Sequence, residues 1–217
     1  MVRQTSSPLE VRRLHSLDDP AFAQLLEIYF EANDPSEQKS LDRLAEMIRE
    51  TDYHFLAGMK SGLVAGFQIL RVLDGADAVL LEYNAVARDR RNQGIGGELF
   101  RRIANLDLFA SRFLLAEVGS DKKATPDQAE RTRRKQFYRR LGWREIERLD
   151  YIMPPVSGTL PPEMDVLVYA RDLPTFIERD RLRHWLERCY VDVYELSATD
   201  VRIDAMISGL AEQVPLI

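Results

Sequence analysis

Arg91-Asn92-Gln93-Gly94-Ile95-Gly96-Gly97 decides how this chain is read. It follows the strand-like run Ala78-Val79-Leu80-Leu81-Glu82-Tyr83-Asn84-Ala85-Val86 and precedes Ile95, Leu99, Ile103 and Leu106, which share one face of a helix. Glycines let a backbone pass close to a phosphate, and the unpaired amides of a helix N-terminus attract that anion. The segment therefore reads as a pyrophosphate cradle between a strand and a helix. Glycine also simply breaks a strand before a helix, so the turn alone leaves both readings open. No Lys-Ser or Lys-Thr pair follows, which excludes a nucleotide P-loop. The first glycine and the βαβ context of a dinucleotide fingerprint are missing as well.

Composition narrows the classes. The 217 residues are 45% hydrophobic, enough for one domain with a proper core and an appendage. A net charge of −5 with 30% charged residues suits a soluble protein and argues against general nucleic-acid binding. One cysteine excludes an internal disulfide and agrees with a reducing compartment. Met1 to Glu10 is polar, without the apolar centre of a signal peptide, and no apolar run approaches the ~20 residues of a membrane span. A cytoplasmic protein that binds neither membrane nor nucleic acid is expected. His15, His54 and His184 are scattered without metal-ligand spacing, so no metal is expected.

The element pattern runs outward from the glycine turn. Val11 to His15 reads as a strand, and Asp19-Pro20 as the cap and first residue of a helix buried through Phe22, Leu25, Leu26, Tyr29 and Phe30. Asp34-Pro35-Ser36-Glu37 predicts the start of a second helix carrying Leu41, Leu44 and Ile48. Tyr53 to Met59 and Leu63 to Leu73 predict a hairpin turning at Lys60-Ser61-Gly62, and Asp74-Gly75 leads into the strand that ends at Val86. Phe113 to Val118 has the apolar run of a strand buried on both faces. Thr125-Pro126-Asp127-Gln128 predicts a helix that Gly142 stops. Strands are expected over about 143–152 and 164–171, linked through Pro154 to Pro162. Beyond Pro174, Leu182, Trp185, Leu186, Cys189, Tyr190 and Val193 form one helical stripe, and Ser197 to Asp200 caps a last helix with Ile203, Ile207 and Leu210. The chain divides into 1–172 and a helical extension, 173–217, which either packs back on the sheet or joins two copies as a homodimer.

Arg91, Gly94 and Gly96 occupy the three defining positions of the acyl-CoA signature Arg/Gln-x-x-Gly-x-Gly/Ala, and Ala116-Glu117-Val118 with Phe137-Tyr138-Arg139-Arg140-Leu141-Gly142-Trp143 is similar to a second conserved segment. Over roughly residues 10 to 155 the chain resembles the GNAT (GCN5-related) N-acetyltransferases. The succession β-α-α-β-β-β-α-β-α-β-β is also theirs. The resemblance implies an α/β (α+β) acyl-CoA N-acyltransferase fold, a central mixed twisted sheet with helices on both faces. It implies transfer from acetyl-CoA to a primary amine, on a small molecule or a peptide, by direct attack in a ternary complex. A silent acyl-CoA-binding module and a partner-binding protein remain the alternatives.

The resemblance assigns donor contacts to Arg91 and to the turn Asn92, Gln93, Gly94, Ile95, Gly96 and Gly97, with backbone groups of Val86, Ala87 and Arg88 along the pantetheine arm. An amine with a pKa of ~10.4 needs a base. Glu82 and Glu117 are the candidates, each a carboxylate in an apolar strand, where burial raises its pKa. Either could instead pair with a neighbouring arginine or face solvent. Tyr138 stands where the family places the phenol that protonates the thiolate; as residue chemistry alone it is equally a core tyrosine beside Phe137. Arg131 and Arg134 replace the asparagine and the small residue that one branch carries seven and four positions before that tyrosine. The run Arg131, Arg133, Arg134, Lys135 reads as a contact for the CoA 3′-phosphate or as a solvated helix face. Cys189 reads as packing.

Overall fold

Two turns register the middle of the sheet. In the computed structural model, which describes residues 8–156 and 160–217, Ser61 (φ 54°) and Gly62 (φ 79°) form a two-residue loop between β2 (Tyr53–Lys60) and β3 (Leu63–Val72). Positive φ at both positions matches the twist of the flanking strands. Asp74-Gly75 then leads to β4 (Ala78–Val86). β1 (Glu10–Leu14) adds antiparallel to β2, and β5 (Phe113–Gly119) lies parallel to β4. β7 (Met164–Tyr169) separates β5 from β6 (Arg144–Glu145), giving a seven-stranded mixed sheet in the order β1-β2-β3-β4-β5-β7-β6. Residues 1–7, part of the leader reading, and 157–159, part of the Pro154–Pro162 link, lie outside the described residues.

Helices cover both faces. α1 (Pro20–Ala32) opens on Asp19, whose carboxylate accepts from the Ala21 amide at 2.9 Å, with Pro20 in the first turn. With α2 (Leu41–Met47) it buries Phe22, Leu25, Tyr29 and Leu44 against Phe55, Phe67, Tyr83 and Ala85. α3 (Ile95–Ala104) and α4 (Gln128–Arg140) pack Leu99, Phe100, Ile103 and Tyr138 on the opposite face with Trp143 and Leu167. α5 (Arg179–Asp192) and α6 (Val201–Ile207) cover Leu80, Leu115, Val166 and Val168 with Leu182, Trp185, Leu186, Ile203 and Ile207. Trp185 also donates to Asp77 Oδ1 at 2.8 Å.

Three expectations are corrected. The capping box at Asp34 to Glu37 does not start a helix: Asp34 Oδ1 instead accepts from the Ser36 amide in a local turn, and α2 begins at Leu41 behind Ser40. α4 begins at Gln128 after Asp127, not at a Thr125 cap. The strand expected over 143–152 shrinks to Arg144–Glu145 because the chain turns at Glu147-Arg148, where Arg148 adopts φ 60°. Glu145 and Ile217 exchange backbone hydrogen bonds of 2.8 and 2.9 Å, and Ile146 bridges Leu216. A two-stranded ribbon, β8 (Phe176–Glu178) with β9 (Gln213–Pro215), was not expected, since three residues carry too little alternation to signal a strand.

Candidate active site

A bulge and a parting of strands open the site. Ile69 faces Tyr83 and Leu70 faces Leu81, so Glu82 is an extra residue in β4. The bulge resets the alternation: Leu81 packs with Tyr138, whereas Tyr83 and Ala85 pack under α1. β4 and β5 pair only from Ala78–Phe113 to Leu80–Leu115. Beyond that point a cleft of ≈ 520 Å³ separates them. Its walls are Leu81 to Val86 on one side and Glu117 and Val118 on the other, with the glycine turn, Phe137 and Tyr138 closing one flank.

At the glycine turn, Gly94 caps α3 at φ 78°, a left-handed conformation that a side chain would strain. The first helical return bond is Glu98 N to Gly94 O at 3.0 Å, so the amides of Ile95 to Gly97 precede the helix's own ladder. A Cβ on Gly96 would meet Phe137 and the Val86 side chain at 3.3 Å, which fixes how closely α3, β4 and α4 approach. Gly94, Ile95, Gly96 and Gly97 line the cleft with Arg91 and Asn92. These features fit a diphosphate and an extended arm, and acetyl-CoA has both. Four of the expected contact residues face or bond elsewhere. The Ala87 amide is spent on Ala65 O at 3.0 Å, and Ala87 and Arg88 line a separate depression with Glu31 and Leu63. The Arg91 guanidinium donates to Val86 O at 3.2 Å, and the Gln93 side chain turns back to Asp89 O.

Glu117 lies on the opposite wall. Tyr151 donates to its Oε1, and Tyr194 donates to its Oε2 at 2.6 Å. Burial raises the carboxyl's pKa to about 7, and the charge of Glu82 adds to the rise, against the two phenolic hydrogen bonds and Lys39, which lower it. Both tyrosines stay protonated, held well above their ordinary range by burial and by the facing carboxylate. Glu82 has a different environment. Its Oε1 is 2.6 Å from Lys39 Nζ, with both side chains buried, and Lys39 also donates to Val193 O at 3.1 Å.

Tyr138 is buried between Phe137 and Trp143, edge-on to both. Burial raises its pKa, and hydrogen bonding to the Asn84 side chain partly offsets that rise, so the phenol carries its proton at neutral pH. The basic run of α4 is divided. Arg131 is tied to Asp127 at 2.7 Å and to Ser120 O, and Lys135 is buried 2.7–2.8 Å from Asp121, Glu145 and Asp165. Of the four, Arg134 lines the cleft. Among the described residues no cluster of histidines, cysteines or carboxylates could hold a metal. Sequence reasoning missed Lys39, Asn84, Tyr151 and Tyr194. A tyrosine just past an amphipathic stripe was the one available hint.

Residues 50–145 match the family model for the acetyltransferase (GNAT) domain. Over that segment the chain is similar to the GNAT acetyltransferases. Solved structures share its fold. A Bacteroides thetaiotaomicron protein assigned to the GNAT acetyltransferases is 22% identical, with a TM-score of 0.72 over 87% of this chain and 99% of that one. A GNAT family acetyltransferase from Elizabethkingia anophelis with acetyl-CoA bound is 18% identical, with a TM-score of 0.51 over 75% and 97%. A Bacillus subtilis acetyltransferase in complex with CoA is 16% identical, with a TM-score of 0.50 over 75% and 99%. No curated protein matches the sequence. The glycine turn, Glu82 and Glu117 fall within the matched segment; Tyr151 and Tyr194 fall outside it. Among the described residues, no helix is long and apolar enough to cross a membrane.

Proposed function

We propose that this protein is an acetyl-CoA-dependent N-acetyltransferase in which Glu117 is the base and Tyr138 the acid. The observation that carries the reading is the placement of Glu117, a carboxyl on the cleft wall held by Tyr151 and Tyr194, whose pKa burial pushes up to about 7. A base works best when its pKa lies near the working pH. Glu82, by contrast, has its Oε1 taken by Lys39 Nζ at 2.6 Å. Acetyl-CoA supplies a thioester carbonyl for attack when it binds. The amides of Ile95, Gly96 and Gly97 would hold its diphosphate, joined by Arg91 once its guanidinium leaves Val86 O, and the parted edge of β4 would hold its arm.

Glu117 takes the proton from the acceptor ammonium at whichever oxygen faces the cleft, while Tyr151 and Tyr194 fix the plane of the carboxyl. Tyr138 keeps its proton on the phenolic oxygen for the departing sulfur. The direct route needs both groups at one cleft, and both line it. The test is thiol release from acetyl-CoA against a panel of amines, for the parent, Glu117→Gln and Tyr138→Phe. Acetyl-CoA binding without turnover of any amine would make the protein a binding module instead.

A further inference from the structure

The turn leaving α5, Val193 to Glu195, bridges the two sides of the cleft's inner end. On one side Lys39 donates to Val193 O at 3.1 Å, and Arg43 pairs with Glu195 at 3.2 Å, which ties the turn to α2 and the segment before it. On the other, Tyr190 donates to Ile152 O, and the Ile152 amide meets the Met206 sulfur at 3.2 Å. The segment carrying Tyr151 and Met153 is thus held by α5 and α6. Between the two sides, the Tyr194 hydroxyl reaches Glu117. Glu195 adopts φ 57°, and this left-handed residue turns the chain away directly after Tyr194 has entered the cleft.

We propose that this turn closes the acceptor end of the cleft, so that the enzyme acetylates a compact primary amine with an apolar body and excludes polypeptide amines. The inference rests on the transfer reading above. An extended polypeptide acceptor needs open surface on both sides of its reacting nitrogen, together with backbone groups free to pair with it. Here the chain's own turn occupies that end, bonded to Lys39 and Arg43 on one side and, through Tyr194, to Glu117 on the other. Met153, Met164 and Tyr194 give the cleft an apolar wall, and its lining also carries the carboxyls of Glu117 and Glu37. Glu82 adds no free negative charge, because Lys39 neutralises it. One ammonium on a short apolar body satisfies that environment.

Tyr194 does two separable things in this arrangement: its ring fills space and its hydroxyl holds Glu117. The test compares 2-phenylethylamine with a blocked Gly-Gly-Lys-Gly-Gly peptide. The parent should favour the amine in kcat/KM by about 100-fold, the scale a shaped pocket supplies. Tyr194→Ala should reduce that preference by about tenfold or more. Tyr194→Phe should keep the preference but move the acid limb of the pH profile upward, since it removes a hydrogen bond that lowers the Glu117 pKa. Equal use of peptide and amine by the parent overturns the inference, as does an unchanged preference in Tyr194→Ala. Calorimetry on the CoA complex separates the two readings. Selective binding of 2-phenylethylamine without turnover refutes the transfer chemistry and keeps the closed pocket; peptide binding as tight as amine binding, or no binding of either, refutes the closed pocket.

Discussion

Two glutamates with similar sequence surroundings are set apart by their partners. Glu117 meets two phenols and Glu82 meets an ammonium, so removing them should have different consequences. Glu117→Gln should abolish the acid limb of the kcat/KM profile, which in the parent should centre near pH 7. Loss of that limb in a folded Glu82→Gln variant instead would move the base to β4. Glu82→Gln should mainly cost stability, about 3–5 kcal/mol, because it strands the buried Lys39 ammonium. Urea denaturation measures this, and an unchanged midpoint would show that Lys39 finds another partner. Linkage gives a further check on Glu117. Its folded pKa of about 7 lies above the reference value of 4.5, so the protonated form is favoured on folding. The contribution is therefore complete below about pH 4.5 and is lost as the pH rises through 7. Glu117→Gln should flatten the parent's loss of stability across that window. At the same scale, Tyr138→Phe should leave the fold and donor affinity intact and lower turnover by ~10²-fold or more. Turnover equal to the parent's would make Tyr138 a packing residue.

The elements behave as units around these residues. α3 depends on Gly94 for its entry and on Gly96 for its approach to α4. Gly94→Ala should cost about 1–2 kcal/mol, because the left-handed conformation is retained only under strain. CoA affinity should fall with it, as calorimetry would show; full affinity in a folded variant would remove the cradle role from this turn. Gly96→Val is a less clean probe, since its side chain would displace Phe137 as well. This turn was legible because its signal is local: glycines at fixed spacing, between an apolar strand and a helical stripe. The hairpin at Ser61-Gly62 and the Asp19-Pro20 cap were legible for the same reason. The ion pair of Glu82 and the phenols on Glu117 were not. Tyr151 lies 34 residues from Glu117 and Tyr194 lies 77, and no periodicity spans such separations. The bulge at Glu82 was hidden too, because an added residue in an apolar run leaves the composition unchanged.

At the scale of the whole molecule, residues 173–217 form part of the core. Trp185, Leu186, Tyr190 and Ile203 are buried against Leu80, Leu115, Val166 and Val168, and the final residues pair with Glu145 at the sheet edge. The same segment delivers Tyr194 to Glu117 and pins Ile152, so stability and the acceptor end of the cleft share one support. Trp185 is fully buried and its indole donates to Asp77, so Trp185→Ala should remove both packing and a hydrogen bond. A cost of about 3–5 kcal/mol is expected from the cavity alone. Ending the chain at Asp172 should go further, exposing the apolar face of β4, β5 and β7 and leaving a protein that aggregates or melts without cooperativity. Calorimetric melting of both variants reads the outcome. If the truncated chain unfolds in one sharp transition near the parent's temperature, the extension is a detachable appendage. A cooperative truncated chain would then also be expected to bind CoA at the glycine turn, because that end of the cleft is built from residues 81–97 and α4.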